Sequence, residues 1–137
     1  MVSKKVVILT SGKRKNAIAR AVLKPGSGRI RVNKRPVKLI EPFLARQKVF
    51  EPLILVEPDF YNKVDIDVTV QGGGITSQAE AARTTIAKAL TQYFDEPQIR
   101  QKLLEYDRKF LVSDPRQKES KKPGGRGARA KVQKSYR

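Results

Sequence analysis

The chain has no cysteine and no histidine. Those two absences exclude disulfides, thiolate chemistry, zinc sites of the Cys/His kind and imidazole acid–base catalysis. Long apolar runs are missing as well. Even Leu53-Ile54-Leu55-Val56, which no apolar run exceeds, is far too short to span a bilayer. Near the start, Val6-Val7-Ile8-Leu9 stops at the polar Thr10-Ser11-Gly12, so the segment is no signal peptide and a cytosolic protein is expected. Acidic residues are scarce at both ends. Residues 1–24 hold seven Lys or Arg and no acid, residues 25–112 fourteen against eleven acids, and residues 113–137 nine against two. The net charge of +17 therefore divides as +7, +3 and +7, strong one-sign ends around a nearly balanced body. Such ends attract phosphate backbones by counterion release, which makes nucleic acid the leading partner. An anionic membrane surface is disfavoured, because the basic end has no amphipathic apolar face.

What is present begins with that basic end. Of residues 113–137 the only sizeable apolar groups are Val132 and Tyr136. A segment so charged buries too little apolar surface to offset its ordering entropy, and alone in water it is expected to be disordered. Its cations are spaced, with Gly and Pro between them, as suits a tail touching phosphate after phosphate. The competing reading is a merely solubilising terminus. Removing the tail leaves residues 1–112 as one domain's worth of chain.

Within the body, Val6 to Leu9 reads as a strand and residues 11–16, Ser-Gly-Lys-Arg-Lys-Asn, as a basic turn. A strand over residues 17–23, the turn cluster Lys24-Pro25-Gly26-Ser27-Gly28 and a strand over residues 29–33 read as a hairpin. Residues 36–40 suit a short edge segment. Phe43, Leu44, Gln47 and Phe50 stand at helical spacing behind Pro42, and residues 53–56 suit the end of that helix or a short strand. Val64, Ile66, Val68 and Val70 alternate with Asp65, Asp67 and Thr69, the clearest strand in the chain. After Gly72-Gly73-Gly74, the repeat of Ile75, Ala79, Ala82, Ile86, Leu90 and Tyr93 predicts a long helix, with Ser77 and Glu80 as a capping box. Pro97 opens a shorter helix carrying Ile99, Leu103 and Leu104, and residues 106–112 return towards strand character. The order predicts an α+β or split βαβ fold.

Chemistry-bearing groups are few. Lys13, Arg14 and Lys15, followed by Arg20, form a basic cluster that is either solvated surface or a contact with RNA. Gly72, Gly73 and Gly74 precede a helix N-terminus, where free N–H groups hold phosphates well. No Gly-Lys-Thr/Ser follows them, and the dinucleotide fingerprint is missing. Asp65 and Asp67 are read as the wet side of a strand, facing Lys or Arg. Tyr106 is read as core. No nucleophile is assembled with a base, and no catalytic residue, metal site or cofactor is assigned. A nucleotide-binding or phosphate-transfer enzyme using the glycine turn is the runner-up, and a DNA-compacting protein is a third reading.

Several blocks, in order along nearly the whole chain, resemble the S-nine family of small-subunit ribosomal proteins. They are Gly12-Lys-Arg-Lys-Asn-Ala-Ile-Ala-Arg-Ala21, Gly28-x-Ile-x-Val-Asn33, Val68-x-Val-x-Gly-Gly-Gly74, Gln78-Ala79, Ala87-x-x-Leu90, Asp114-Pro-Arg-x-x-Glu119, Lys121-Lys-Pro-Gly124, Ala128-Arg129 and Gln133-x-Ser-x-Arg137. Bacterial members usually end Ser-Lys-Arg. The ending Lys134-Ser-Tyr-Arg137 resembles the archaeal and eukaryotic branch. The resemblance implies an RNA-binding body: a small, mostly antiparallel sheet backed by helices, with a left-handed βαβ crossover like the second domain of ribosomal protein S-five, an exception to the usual hand. It implies a structural constituent of the small ribosomal subunit in the cytoplasm, seated on ribosomal RNA of the subunit head beside other head proteins, with no homo-oligomer expected. The tail, which can reach roughly 80–90 Å when extended, is implied to run to transfer RNA in the peptidyl site. Ribosomal RNA contacts then fall to Lys13, Arg14, Lys15, Arg20, Gly72, Gly73, Gly74, Arg116, Lys121, Lys122, Arg126, Arg129 and Lys131. Contacts with transfer RNA fall to Lys134, Ser135, Tyr136 and Arg137.

Overall fold

The computed structural model describes residues 6–131 and Gln133. Its first two strands, β1 (Ile8–Arg14) and β2 (Ala17–Pro25), form an antiparallel hairpin closed by Lys15 and Asn16 alone. The basic turn read over residues 11–16 is thus shorter than expected, because the strand alternation continues through it. Thr10 and Gly12 face inward, while Ser11 and Lys13 face water. Gly12 is tolerated inside the strand because a helix lies against it: a Cβ there would stand 2.5 Å from Thr85 Oγ1.

Strand β2 does not pair with the next strand, β3 (Ile30–Val32), so the expected second hairpin is corrected. Strand β5 (Val64–Gln71) lies between them, antiparallel to β2 and parallel to β3. The reason is visible in the hydrogen bonds. Asp65 Oδ1 accepts the N–H groups of Ser27 and Arg29, each at 2.9 Å, and Gly26 N–H donates to Lys63 C=O at 3.0 Å. The glycine-rich connection is stitched to β5 rather than folded back on β2. The short edge strand β4 (Arg35–Pro36) completes a mixed sheet of order β1-β2-β5-β3-β4. A 3-10 turn, Val37–Leu39, follows it, where a short edge segment was expected.

Helix α1 (Phe43–Leu55) and the single turn α2 (Pro58–Tyr61) connect β4 to β5. Residues 53–55 do end α1, but its buried stripe is Ala45, Val49, Pro52 and Leu53, and Phe43 and Leu44 lie exposed. Helix α3 (Ile75–Phe94) has Gly74 as its N-cap residue with no side-chain cap, so Ser77 lies inside the first turn and the expected capping box does not form. Glu80 binds two cations instead. It accepts Arg14 Nε at 2.7 Å and Lys48 Nζ at 2.8 Å. Helix α4 (Pro97–Tyr106) buries Ile99 and Leu103. The strand expected over residues 106–112 is instead the end of α4 and a 3-10 turn, Arg108–Phe110, which buries Phe110 completely. Tyr106, read as core, is exposed and lays its ring beside Phe110 with centroids 5.8 Å apart.

The result is an α+β fold with one helical layer on one sheet face. Ala17, Ala19, Ala21 and Leu23 of β2 and Val64, Ile66 and Val68 of β5 meet Ala81, Ala82, Ile86, Ala89 and Leu90 of α3, all buried. The alanines on both sides let α3 lie close, and Thr10 Oγ1 donates to Thr85 C=O at 3.1 Å across that contact. Among the described residues, no helix covers the opposite sheet face. From residue 113 onward, the described residues form no helix or strand beyond one bridge between Asp114 and Arg14.

Candidate nucleic-acid interface

Alternation along β1 and β2 decides which cations meet solvent. Lys13 and Arg20 project from the uncovered sheet face, where Arg20 stands opposite Ser11 on one side and Thr69 on the other. Neither has an ion-pair partner among the described residues. Asp65 and Asp67 occupy the same face, as expected for its wet side, and both are engaged. Asp67 binds Arg31 Nε at 2.8 Å, and the Arg29 and Ser27 N–H groups hold the Asp65 carboxyl below its usual range against the opposing effect of burial.

Lys15, at the hairpin tip, lies beside the glycine turn, 57 positions away in sequence. Lys15, Asn16, Gly73, Gly74, Ser77, Gln117 and Lys118 line a hollow of about 270 Å³. The hairpin tip, the start of α3 and the root of the tail therefore converge. Gly72 and Gly73 have positive φ and touch Asn16 and Ala17. Packing accounts for both. Gly74 has extended backbone, and nothing lies within 4 Å of where its Cβ would be. It is the member of the triplet with open space in front of it.

Arg14 is placed differently from its neighbours. Its side chain is 15% exposed and is held by Glu80 and, at 3.7 Å, by Asp114. Its charge is committed inside the protein, which sequence spacing alone did not show. Burial pushes the Glu80 carboxyl up, but hydrogen bonds from Lys48 and Arg14 outweigh that and hold it below the usual carboxylate range. A second internal group was missed: Arg83 binds Glu51 at 2.6 Å and Asp107 at 3.3 Å, and its guanidinium lies 4.7 Å from the Phe110 ring centre. Helical spacing from Glu80 was the available signal, since Arg83 sits one turn further along α3.

In the tail, Arg116 forks onto Asp114 yet stays largely exposed, while Lys122 and Arg129 share Glu119 at 2.9 and 3.0 Å. Lys121, Arg126 and Lys131 are exposed and form no ion pair with any described residue. Lys134, Ser135, Tyr136 and Arg137 lie outside the described residues. No described helix is long and apolar enough to cross a membrane. Exposed cations on a hairpin, a tail root beside them and a helix start with no side-chain cap are features suited to a small α+β polyanion-binding protein.

The particular family follows from comparison with known proteins. The family described as Ribosomal protein S9/S16 matches residues 12–137, and the chain belongs to it. Small ribosomal subunit protein uS9 of Methanothrix thermoacetophila is 53% identical over 131 residues, covering 96% of this chain and 98% of that protein. The protein of the same name from Halobacterium salinarum is 50% identical over 132 residues, covering 96% of this chain and all of its own length.

Proposed function

We propose that this protein is a structural component of the small ribosomal subunit that binds ribosomal RNA of the subunit head through its hairpin and tail. The observation that carries the reading is the convergence of Lys15 and Lys118 on one hollow at the start of α3. The tip of the basic hairpin and the root of the basic tail are thereby brought together beside a body that has nearly balanced charge. The uncovered sheet face adds Lys13 and Arg20, and the tail adds Arg116, Lys121, Lys122, Arg126, Arg129 and Lys131. Arg14 acts as a strut behind them. Gly74 gives a sugar–phosphate chain close access to the α3 N-terminus, and Gly72 and Gly73 shape the turn that presents it. The connection from β3 through α1 to its parallel neighbour β5 is the βαβ crossover, which the reading takes as left-handed, as in the second domain of ribosomal protein S-five. The protein acts as one copy among neighbouring head proteins of the cytoplasmic subunit, and it catalyses no reaction.

Replacing Lys13 and Lys15 together by Ala should lower the slope of log K against log salt by roughly 1.4–1.8, at about 0.7–0.9 per phosphate contact. Titration of transcribed head-domain ribosomal RNA at several salt concentrations, with duplex DNA as competitor, measures this. An unchanged slope would make the hairpin mere solvated surface. Equal affinity for duplex DNA would overturn the ribosomal reading.

The tail's last residues are read as touching the anticodon stem-loop of transfer RNA in the peptidyl site. Arg137 forks onto a phosphate, Lys134 adds a point charge, Ser135 a hydroxyl, and Tyr136 stacks on a base or sugar. A ligand released in each cycle suits such modest contacts, about 1.5–3 kcal/mol for each charge-assisted hydrogen bond, or roughly ten- to a hundredfold in affinity. Deleting residues 135–137 should leave subunit assembly intact and weaken transfer RNA binding to isolated small subunits by about that factor. Unchanged binding in a filter assay would refute the contact.

A further inference from the structure

We propose that Asp114 is a positioning residue for RNA binding: it clamps the root of the tail to the end of β1 and sets the direction in which the basic tail leaves the body. The inference rests on the RNA-binding reading above. What motivates it is an acid where acids are least useful. Asp114 is the one acid in the sequence from Lys109 to Lys118, in a segment outside the apolar core, yet its side chain is only 7% exposed.

Its surroundings explain the burial. Arg116 Nε lies 3.1 Å from each carboxylate oxygen, and Arg116 Nη2 lies 2.9 Å from Oδ2. The Arg116 backbone N–H donates to Oδ1 at 3.1 Å, and Lys109 Nζ is 3.2 Å from Oδ2. These hydrogen bonds, led by those from Arg116, hold the Asp114 carboxyl far below its usual range. Two further ties do not use the carboxylate. The Asp114 backbone bridges Arg14 as a parallel strand partner, and Arg14 Nη1 donates to Arg116 C=O at 3.2 Å. Arg14 is itself braced on α3 through Glu80. Residues 114–116 are therefore fastened to both β1 and α3, and Pro115 restricts the chain between the two anchoring residues.

The consequence is directional. Without the clamp, the chain would be unconstrained from just beyond Phe110, the last residue of the buried core. With it, freedom begins after Arg116, and the next cation, Lys118, starts beside Lys15 and the glycine turn. Fixing the root shrinks the volume that the tail searches and the entropy lost when it binds. Charge alone makes the opposite prediction, since an acid beside phosphate contacts weakens them.

That difference in sign is the test. Asp114→Asn should be made in the full chain and in a chain ending at Gln117, which retains every core residue, and both should be titrated with transcribed head-domain ribosomal RNA at one salt concentration. The clamp predicts roughly three- to tenfold weaker binding in the full chain and no loss in the shortened one. In the free protein, tryptic cleavage after Arg116 should accelerate. Unchanged or tighter binding by the full-length variant overturns the clamp, as does an equal loss in both lengths, which marks general destabilisation and would appear in thermal melts. Unaltered cleavage overturns it too. If shortening the unmutated chain leaves affinity unchanged, the RNA-binding role of the tail fails first and takes the clamp with it.

Discussion

Ending the chain at Gln117 is expected to lower affinity for head-domain ribosomal RNA by about three orders of magnitude near physiological salt, with the body still folded. The cut removes eight cations and one acid. Glu119 neutralises part of this charge in the free protein, because it holds Lys122 and Arg129. Both cations are exposed, and exposed pairs of this kind contribute about 0–1 kcal/mol, so RNA phosphates compete for them at little cost. If five to seven of the removed cations reach phosphates, the slope of log K against log salt should fall by roughly 4–6. The body should survive, because the buried core runs from Ala17 to Phe110 and no described tail residue enters it. Titrations at several salt concentrations and thermal melts of both chains check the two halves of the expectation. A slope unchanged by the cut would make the tail a solubilising terminus. A large fall in melting temperature would make it part of the folded body.

Local periodicity revealed more of the fold than of its connectivity. The alternation in β5 and the three-to-four repeat in α3 are strong because each element packs one face against the other, so burial writes itself into the sequence. The pairing of β2 with β5 left no such mark. Lys24-Pro25-Gly26-Ser27-Gly28 looks like a hairpin turn, and only the Asp65 carboxylate, 36 to 38 positions away, shows why it is not. The capping box failed for a related reason. Ser77 and Glu80 have the right spacing, but the helix already begins at Ile75 behind the glycine turn, and Glu80 is left to bind Arg14 and Lys48 from other elements. Phe43 and Leu44 misled because large apolar side chains dominate a pattern reading, whereas the small Ala45 and Val49 face the core.

The interface was legible as composition and less so as geometry. The excess of cations at both ends made a nucleic acid the leading partner, with a solubilising terminus as the competing reading of the tail. Which cations are outward was not legible, because Lys13, Arg14 and Lys15 are adjacent in sequence while strand alternation sends Lys13 out and turns Arg14 in. The tail boundary was placed at residue 113 on charge alone. The proposed clamp moves the free part of the tail to after Arg116, because the Asp114 carboxylate binds Arg14 and Lys109 before it in the chain and Arg116 after it.

The glycine triplet separates packing from binding, and the contrast is widest between Gly72 and Gly74. Gly72→Ala should destabilise the body by roughly 2–4 kcal/mol. The residue has φ +77°, and a Cβ would stand 2.5 Å from the Asn16 carbonyl oxygen, a backbone atom at the hairpin tip that cannot swing aside. The left-handed conformation contributes about 1–2 kcal/mol of that loss. The remainder comes from displacing the hairpin tip, by analogy with the roughly 1–3 kcal/mol of overpacked sites. Against a total stability of order 5–15 kcal/mol for a domain of this size, the melting temperature should fall by about 10 °C or more. Gly74→Ala should behave in the opposite way. Its backbone is extended and the space before it is empty, so stability should stay within about 0.5 kcal/mol of the parent. RNA affinity should nevertheless fall, because a methyl group at the α3 N-terminus holds a phosphate away from the free N–H groups. Urea unfolding and RNA titration of the two variants together decide the matter. If Gly74→Ala binds RNA as well as the parent, the triplet is a packing device throughout. If Gly72→Ala is as stable as the parent, the hairpin tip yields more readily than its backbone contacts with the turn imply.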